Sequence, residues 1–381
     1  MIYFDNSATT QTLSEAANRA CGAMTNDYYN PAAAYGAAFN VEKTVTEARR
    51  FAASMLGVNA PEIIYTSGGT ESNNAAVFGT LRSAHGNKQI VTTAIEHPSV
   101  YETVNVAAKM FDADIRYAPL CADGSVDLDR LSEVLTSETA LVSIMHVNNE
   151  LGSVNDLDRI AAKVRALSPN AVFHSDGVQA FMKVRSKNIP VDLYSVSAHK
   201  IHAPKGVGFL YVRNGTRFVG GQIGGGQERN LRSGTTNVPG ILGLDTALRA
   251  YHQNETEWHA QMLRVKTRLY RNLSKLPDVL LNGPSVENGA PHILNLSFLG
   301  VRGEVLMHAL ERYGLIVSTG SACSAKKLGK NRILNAIGVT GARQEGAIRF
   351  SFSPFNTEEE ADAASDIIEE QLRILRRYRR R

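Results

Sequence analysis

Three stretches of this chain carry residues whose types and spacing could do chemistry. In "LYSVSAHKIHAPKGVGFLYV" a strand candidate runs into Ser197, His199 and Lys200, and a Gly/Pro-rich turn then leads into another strand. That order places Lys200 at the rim of a sheet. An amine in a partly desolvated pocket there loses its proton more easily and can form a Schiff base. Alone, the same residue reads as a surface loop lysine. Upstream, "HSDGVQA" puts Asp176 at a strand end with Gln179 three residues on. An acid so placed suits a protonated ring nitrogen, although alone it reads as a helix cap. In "TSGGTESNN" a strand ends and a helix opens, so that backbone N–H groups around Gly69 and the Thr70 hydroxyl can hold a phosphate.

Together these make an ordered set: phosphate cradle, pyridine-nitrogen acid, Schiff-base lysine. Those are the parts that a pyridoxal-phosphate site needs. The 24 residues from Asp176 to Lys200 allow one crossover between neighbouring strands. The glycines match neither the dinucleotide fingerprint nor a P-loop, since no Lys-Ser/Thr pair follows them. A fourth stretch, "STGSACSAKKLGK", sets Cys323 among small residues ahead of Lys326 and Lys327. A thiol of ordinary pKa, about 8.5, needs a base or a cation to become nucleophilic. A buried structural cysteine is the default reading.

Positioning these residues requires a sheet. Strand candidates "EIIYTSG", "QIVTTA", "ADIRYAP", "TALVSIMHV", "AVFHSD", "LYSVSA" and "GFLYVR" are rich in Val, Ile, Tyr and Phe. Helical patterns such as "ESNNAAVFGTLRSAHG", "HPSVYETVNVAAKMF" and "LDRIAAKVRAL" lie between them. The alternation predicts an α/β protein with a mostly parallel sheet covered on both faces. The pattern changes near residue 255, where a charged helix starting at "EWHAQ" precedes the strand candidates "HILNLSFLG", "LIVSTGSAC" and "GAIRFSFSP". We therefore expect a large domain over 13–255, and a smaller α+β domain from 1–12 and 256–381.

Composition narrows the class without naming it. With 381 residues, 43% hydrophobic and 20% charged, the chain has the make-up of an ordinary globular protein. A net charge of +4 is too small to argue for nucleic acid, and the terminal "LRRYRRR" reads as a solvated helix end. Cys21, Cys121 and Cys323 are too far apart in sequence for a disulfide framework or a metal pair of the C-x-x-C kind, so a reducing cytoplasm and no metal are expected. No export signal or long apolar run is evident, which predicts a protein free of the membrane.

Motifs spread over essentially the whole chain carry a resemblance: "YFDNSATT", "TSGGTESNN", "EHPSV", "HVNNELG", "HSDGVQA", "SAHKIHAPKGVG", "GGGQERNLRSGT", "STGSACS" and "IRFSFSPFNTEEE". The sequence resembles the cysteine desulfurases of the NifS/IscS type, within the fold-type-I pyridoxal-phosphate enzymes. The resemblance implies a homodimer that converts L-cysteine to L-alanine, forms a persulfide on Cys323 and hands the sulfur to an acceptor protein, an iron–sulfur scaffold or a tRNA-thiolating enzyme. By the same resemblance Lys200 would bind the cofactor and move protons at the substrate Cα. His97 would stack over the ring as an acid/base group; alone it reads as a helix-start histidine. Asn149 and Gln179 would bond the phenolic oxygen or ring edge, and Asp176 the ring nitrogen. Thr70, Ser197 and His199 would hold the phosphate, with Thr235 reaching in from the other subunit. Asn30 and Arg349 would bind the substrate carboxylate, the latter with a planar fork that lysine lacks.

One departure stands out. The family usually reads N-P-S-S-x-H near residue 30, whereas this chain has "NPAAAYG", with Tyr35 at the histidine position. Two further readings stay open. A selenocysteine lyase or an aminotransferase on the same fold is one, and aminotransfer would make Cys323 incidental. A non-catalytic partner that keeps the fold is the other.

Overall fold

The computed structural model of the chain describes residues 1–86, 88–184, 188–319 and 331–378. Cys323, Lys326 and Lys327 lie outside the described residues, as do 379–381 of the basic tail. In chain order the first elements are β1 (Ile2–Tyr3), α1 (Ser14–Thr25), α2 (Gly36–Leu56), β2 (Ile63–Thr66), α3 (Gly69–Ser83), β3 (Lys88–Thr92) and α4 (Pro98–Phe111). Next come β4 (Ala113–Tyr117), β5 (Thr139–Ser143), α5 (Leu157–Leu167), β6 (Val172–Asp176), β7 (Leu193–Ser197), β8 (Gly208–Val212) and α6 (Val238–Leu273). The remainder holds β9 (Val279–Asn282), β10 (Ile293–Phe298), α7 (Gly303–Glu311), β11 (Leu315–Ile316), α8 (Arg332–Ala336), α9 (Gly341–Glu345), β12 (Ala347–Ser351) and α10 (Glu358–Leu375).

All seven strand candidates of the first two thirds join one sheet, in the order β2-β8-β7-β6-β5-β3-β4. Its interior strands β6, β7 and β8 are buried at every position. Burial at every position fits strands covered on both faces, and the polar side chains they carry find partners: His174 lies 2.8 Å from Ser143 Oγ and 3.0 Å from Ser195 Oγ. Pairing is parallel throughout except around β8, which runs antiparallel to both β2 and β7. With β8 reversed between them, β2 and β7 point the same way. The carboxyl ends of β2, β3, β5, β6 and β7 therefore share one edge, where ligands bind in open α/β sheets.

A smaller antiparallel sheet, β12-β10-β9, has its own core of Leu294, Leu296, Phe298, Ile348, Phe350 and Phe352. β1 pairs with β11, and just beyond them Asp5 bridges to Ser351 and Ser318 to Arg349. Phe4 packs in this second core, so the N-terminal segment lies with the C-terminal one. α10 starts on a reciprocal cap, in which Thr357 Oγ1 accepts from the Glu360 N–H at 3.2 Å and Glu360 Oε2 accepts from the Thr357 N–H at 3.2 Å.

α6 differs from the sequence reading. It begins at Val238 rather than near Glu257 and runs unbroken past residue 255. Asn237 caps it by accepting the Gly240 N–H at 3.0 Å, with Pro239 in the first turn. Its apolar first half packs Ile241, Leu244 and Leu248 into the main core, and its charged second half packs Val265 and Leu269 into the second. The charge pattern marks only the second half. β11 also stops at Ile316, short of the expected run.

Candidate active site

The first cluster sits where β2, β6 and β7 end. At the turn from β2 into α3, Gly68 has φ of 143°, and a Cβ on it would lie 3.3 Å from Ser197 Oγ. One on Gly69 would lie 2.6 Å from Val178 Cγ2. Only glycine lets this backbone come so close to the neighbouring strand ends. The N–H groups of Gly69 and Thr70, in the first turn of α3, precede any intrahelical acceptor and are free to bind an anion. They face a cleft of about 350 Å³ lined also by Ser197, His199 and Lys205. His199 Nδ1 lies 3.1 Å from Thr9 Oγ1, and burial, then the charges of Lys200, Lys205 and Lys183, press its pKa down to about 4. Glu71, in the same helical turn, pairs with Arg232 at 2.9 Å and ties the glycine-rich 220–234 segment to this corner.

Asp176 ends β6 and is 4% exposed. Its Oδ1 accepts the Val178 N–H at 2.9 Å and its Oδ2 an Asn73 N–H at 2.7 Å. Lys200 closes the short turn after β7, donating from Nζ to the carbonyls of Ser7 at 2.5 Å and Ala8 at 2.8 Å. The buried Gln179 reaches the same Ser7 carbonyl through Nε2 at 3.0 Å. The "DNSATT" segment thus holds the lysine in place, a role that no local pattern announces. His97 caps α4, its Nδ1 accepting the Ser99 N–H at 3.1 Å. Burial lowers its pKa, helped by Lys200 and Arg332 and opposed by Asp176, so the ring is neutral at pH 7.

The second cluster lies on the small sheet. Arg349 of β12 is 5% exposed. Its Nη1 donates to the Asn149 carbonyl at 3.0 Å and its Nη2 to Asp5 Oδ1 at 2.6 Å, while Nε has no partner. Asn149 Oδ1, close by, is also buried and unpartnered. Two buried polar atoms without partners among the described residues suit a polar ligand. Glu150 accepts from Asn331 Nδ2 at 2.8 Å, and burial pushes its pKa up to about 7. Arg332 donates to the carbonyls of Ala94 and Glu96. The chain on one side of 320–330 is therefore tied to Arg349 through Ser318, and on the other to the segment that carries His97.

Two expected residues make other contacts. Asn30 is exposed and its Oδ1 accepts only the neighbouring Ala32 N–H, at 3.0 Å. Thr235 lines a second cleft of about 100 Å³ that shares Ser67 and Gly206 with the first. Cys323 lies outside the described residues. The sequence reading missed Asp5, Asn73, Ser99 and Glu96. Asp5 sat inside "YFDNSATT" and Asn73 inside "TSGGTESNN", so the motifs contained them without marking their partners. Among the described residues no group of three or more His, Cys, Asp or Glu side chains could hold a metal ion, and no helix is long and apolar enough to cross a membrane.

Comparison with known proteins agrees with this geometry. Residues 2–364 match the family described as aminotransferase class-V. A cysteine desulfurase of Trichormus azollae is 37% identical, covering 99% of this chain and 94% of its own. A solved structure described as a NifS-like protein superposes with a TM-score of 0.92 at 34% identity, over 98% of this chain and 99% of the other. A structure of SspA in complex with cysteine gives a TM-score of 0.82 at 28% identity, covering 94% and 100%. The chain belongs to the class-V aminotransferase family, within its cysteine desulfurase group.

Proposed function

We propose that this protein is a pyridoxal-phosphate-dependent cysteine desulfurase that converts L-cysteine to L-alanine and passes the sulfur to an acceptor protein. The observation that carries the reading is the meeting of Lys200, Asp176 and the Gly68–Thr70 turn at one edge of the sheet. The residues fit the cofactor. A phosphate matches the cleft where an added Cβ would collide, and Asp176 keeps a buried acceptor for a ring N–H. In this reading Gly69, Thr70, Ser197 and His199 hold the phosphate, with Thr235 contributed by the partner in a homodimer. Asn149 and Gln179 hold the phenolic oxygen or ring edge, and His97 covers the ring.

When bound, the cofactor supplies an electron sink for the substrate Cα. The protein does the rest. Two carbonyls stabilise the Lys200 ammonium, so a proton must leave Nζ before the amine attacks a carbon or takes a proton from Cα. Arg349, fixed at both Nη atoms, offers its unpartnered Nε–H to the substrate carboxylate. The Cys323 thiolate attacks the substrate sulfur; the carbon–sulfur bond breaks, its electron pair stays with the substrate and takes up a proton, and L-alanine leaves while the sulfur stays on the enzyme as a persulfide. Sulfur then passes to an iron–sulfur scaffold or a tRNA-thiolating enzyme. Free thiol chemistry of this kind belongs in a reducing cytoplasm. The second core and the path of the N-terminal segment support two lobes, 13–255 and 1–12 with 256–381.

The test is to reconstitute the chain with pyridoxal phosphate and measure alanine and sulfide from L-cysteine with a reductant. An absorbance band at about 400 nm and equal yields of the two products are expected. A colourless protein refutes the enzyme reading, and turnover that survives Cys323→Ala refutes sulfur transfer through that thiol.

A further inference from the structure

His97 is held in one protonation form by side chains to which the proposed chemistry gives no task. Its Nδ1 receives the backbone N–H of Ser99 at 3.1 Å and lies 2.7 Å from Ser99 Oγ. A backbone N–H can only donate, so it favours a bare Nδ1; the hydroxyl, the nearer of the two, adds to that preference only where it donates as well. Asn73 orients the hydroxyl. The Asp176 carboxylate only accepts, so Asn73 turns Nδ2 towards Oδ2 at 2.7 Å, and the second hydrogen of the same nitrogen reaches Ser99 Oγ at 2.8 Å. With Ser99 Oγ accepting from Asn73, its own proton is directed at Nδ1. The wire runs from β6 through α3 to the start of α4, and Asn73 at its centre is 1% exposed.

We propose that Asn73 and Ser99 are positioning residues that hold His97 as the neutral Nε2–H tautomer, with the bare nitrogen turned to Ser99. The mobile proton then sits on Nε2, which has no hydrogen-bond partner among the described residues. The charged groups that face this ring come from three elements: Asp176 on β6, Lys200 after β7 and Arg332 on α8. None of them replaces the contact at Nδ1. The functional consequence rests on the reading of His97 as a group acting over the ring: from Nε2 the neutral ring donates a hydrogen bond, and does not accept a proton there.

Nitrogen NMR on the full chain labelled with ¹⁵N-histidine tests the assignment, with and without pyridoxal phosphate, and His97→Gln identifies the signals. The unmodified protein is expected to show an unprotonated Nδ1 and a protonated Nε2. Asn73→Ala and Ser99→Ala are expected to raise the share of the Nδ1–H form and to lower kcat roughly tenfold with KM little changed. Ser99→Thr is expected to restore both. An Nδ1–H tautomer in the unmodified chain overturns the assignment, and variants that keep the original tautomer overturn the positioning role. Because the spectra need no turnover, a chain that leaves L-cysteine intact refutes the proposed reaction without touching this result.

Discussion

The two halves of the site are built differently. Around Lys200 and Asp176 the functional groups stand at the ends of neighbouring strands of one sheet, each within a few residues of its own strand. Around Arg349 they are assembled from distant segments, with Asp5 separated from it by 344 residues and Asn149 by 200. A strand end carries its own signal in sequence, an apolar run broken by Gly, Ser or Asp. A contact between remote segments carries none. The first half therefore takes its positions from sheet geometry, with the N-terminal segment added at Lys200, and the second depends on pairing between the N-terminal segment and β12.

That contrast can be broken by mutation. The largest effect is expected at Lys200: Lys200→Ala should lower kcat for alanine formation by a factor of about 10³ or more, because the covalent partner is lost. Melting should move little, since the contacts of Lys200 with the Ser7 and Ala8 carbonyls lie at the rim of the sheet. A large loss of stability would show that the lysine also holds the N-terminal segment.

A middle-sized effect is expected in the other half. Asp5→Ala leaves the Arg349 guanidinium, 6% exposed, without its carboxylate, and a broken buried pair costs about 3 kcal/mol. Urea unfolding should show that loss. A change below about 0.5 kcal/mol would mean that Arg349 does not depend on the remote contact.

The smallest effect sharpens the pH behaviour of the first half. Glu96 is fully buried beside His97, and burial raises its pKa to about 8 from the usual 4.5. An acid whose folded pKa is raised binds its proton more tightly when folded. Its contribution is complete below about pH 4.5, falls as pH rises towards 8, and is gone above it. Glu96→Gln keeps the neutral form and should flatten that decline. The gain over the parent should grow from pH 5 to pH 8. Equal gains at both pH values would place the titration elsewhere.

The motifs and strand candidates put Lys200, Asp176, Gly69, Thr70, Ser197 and His199 at strand ends, where a local pattern changes, and the sheet brings those ends to one edge. Asn30 and Thr235 were named by resemblance; Asn30 is exposed with a local contact to Ala32, and Thr235 lines a cleft that adjoins the first. The charged run at 257 concealed the true start of α6, since polarity reports which face meets water and not where the helix begins. Asn73 shows the limit most clearly. It sat in a quoted motif, yet its bridge between Asp176 and Ser99 needs α3 packed against both β6 and α4.

By itself the sequence determined the alternation of elements, the residues at the strand ends and the family they resemble, for these follow from the period of apolar residues and from short motifs. Tertiary structure alone decided that Asp5 neutralises Arg349, that Ser7 and Ala8 grip Lys200, and that Asn73 and Ser99 set the His97 proton. Hydrogen-bond direction and burial depend on which segments meet, and chain order does not encode that locally.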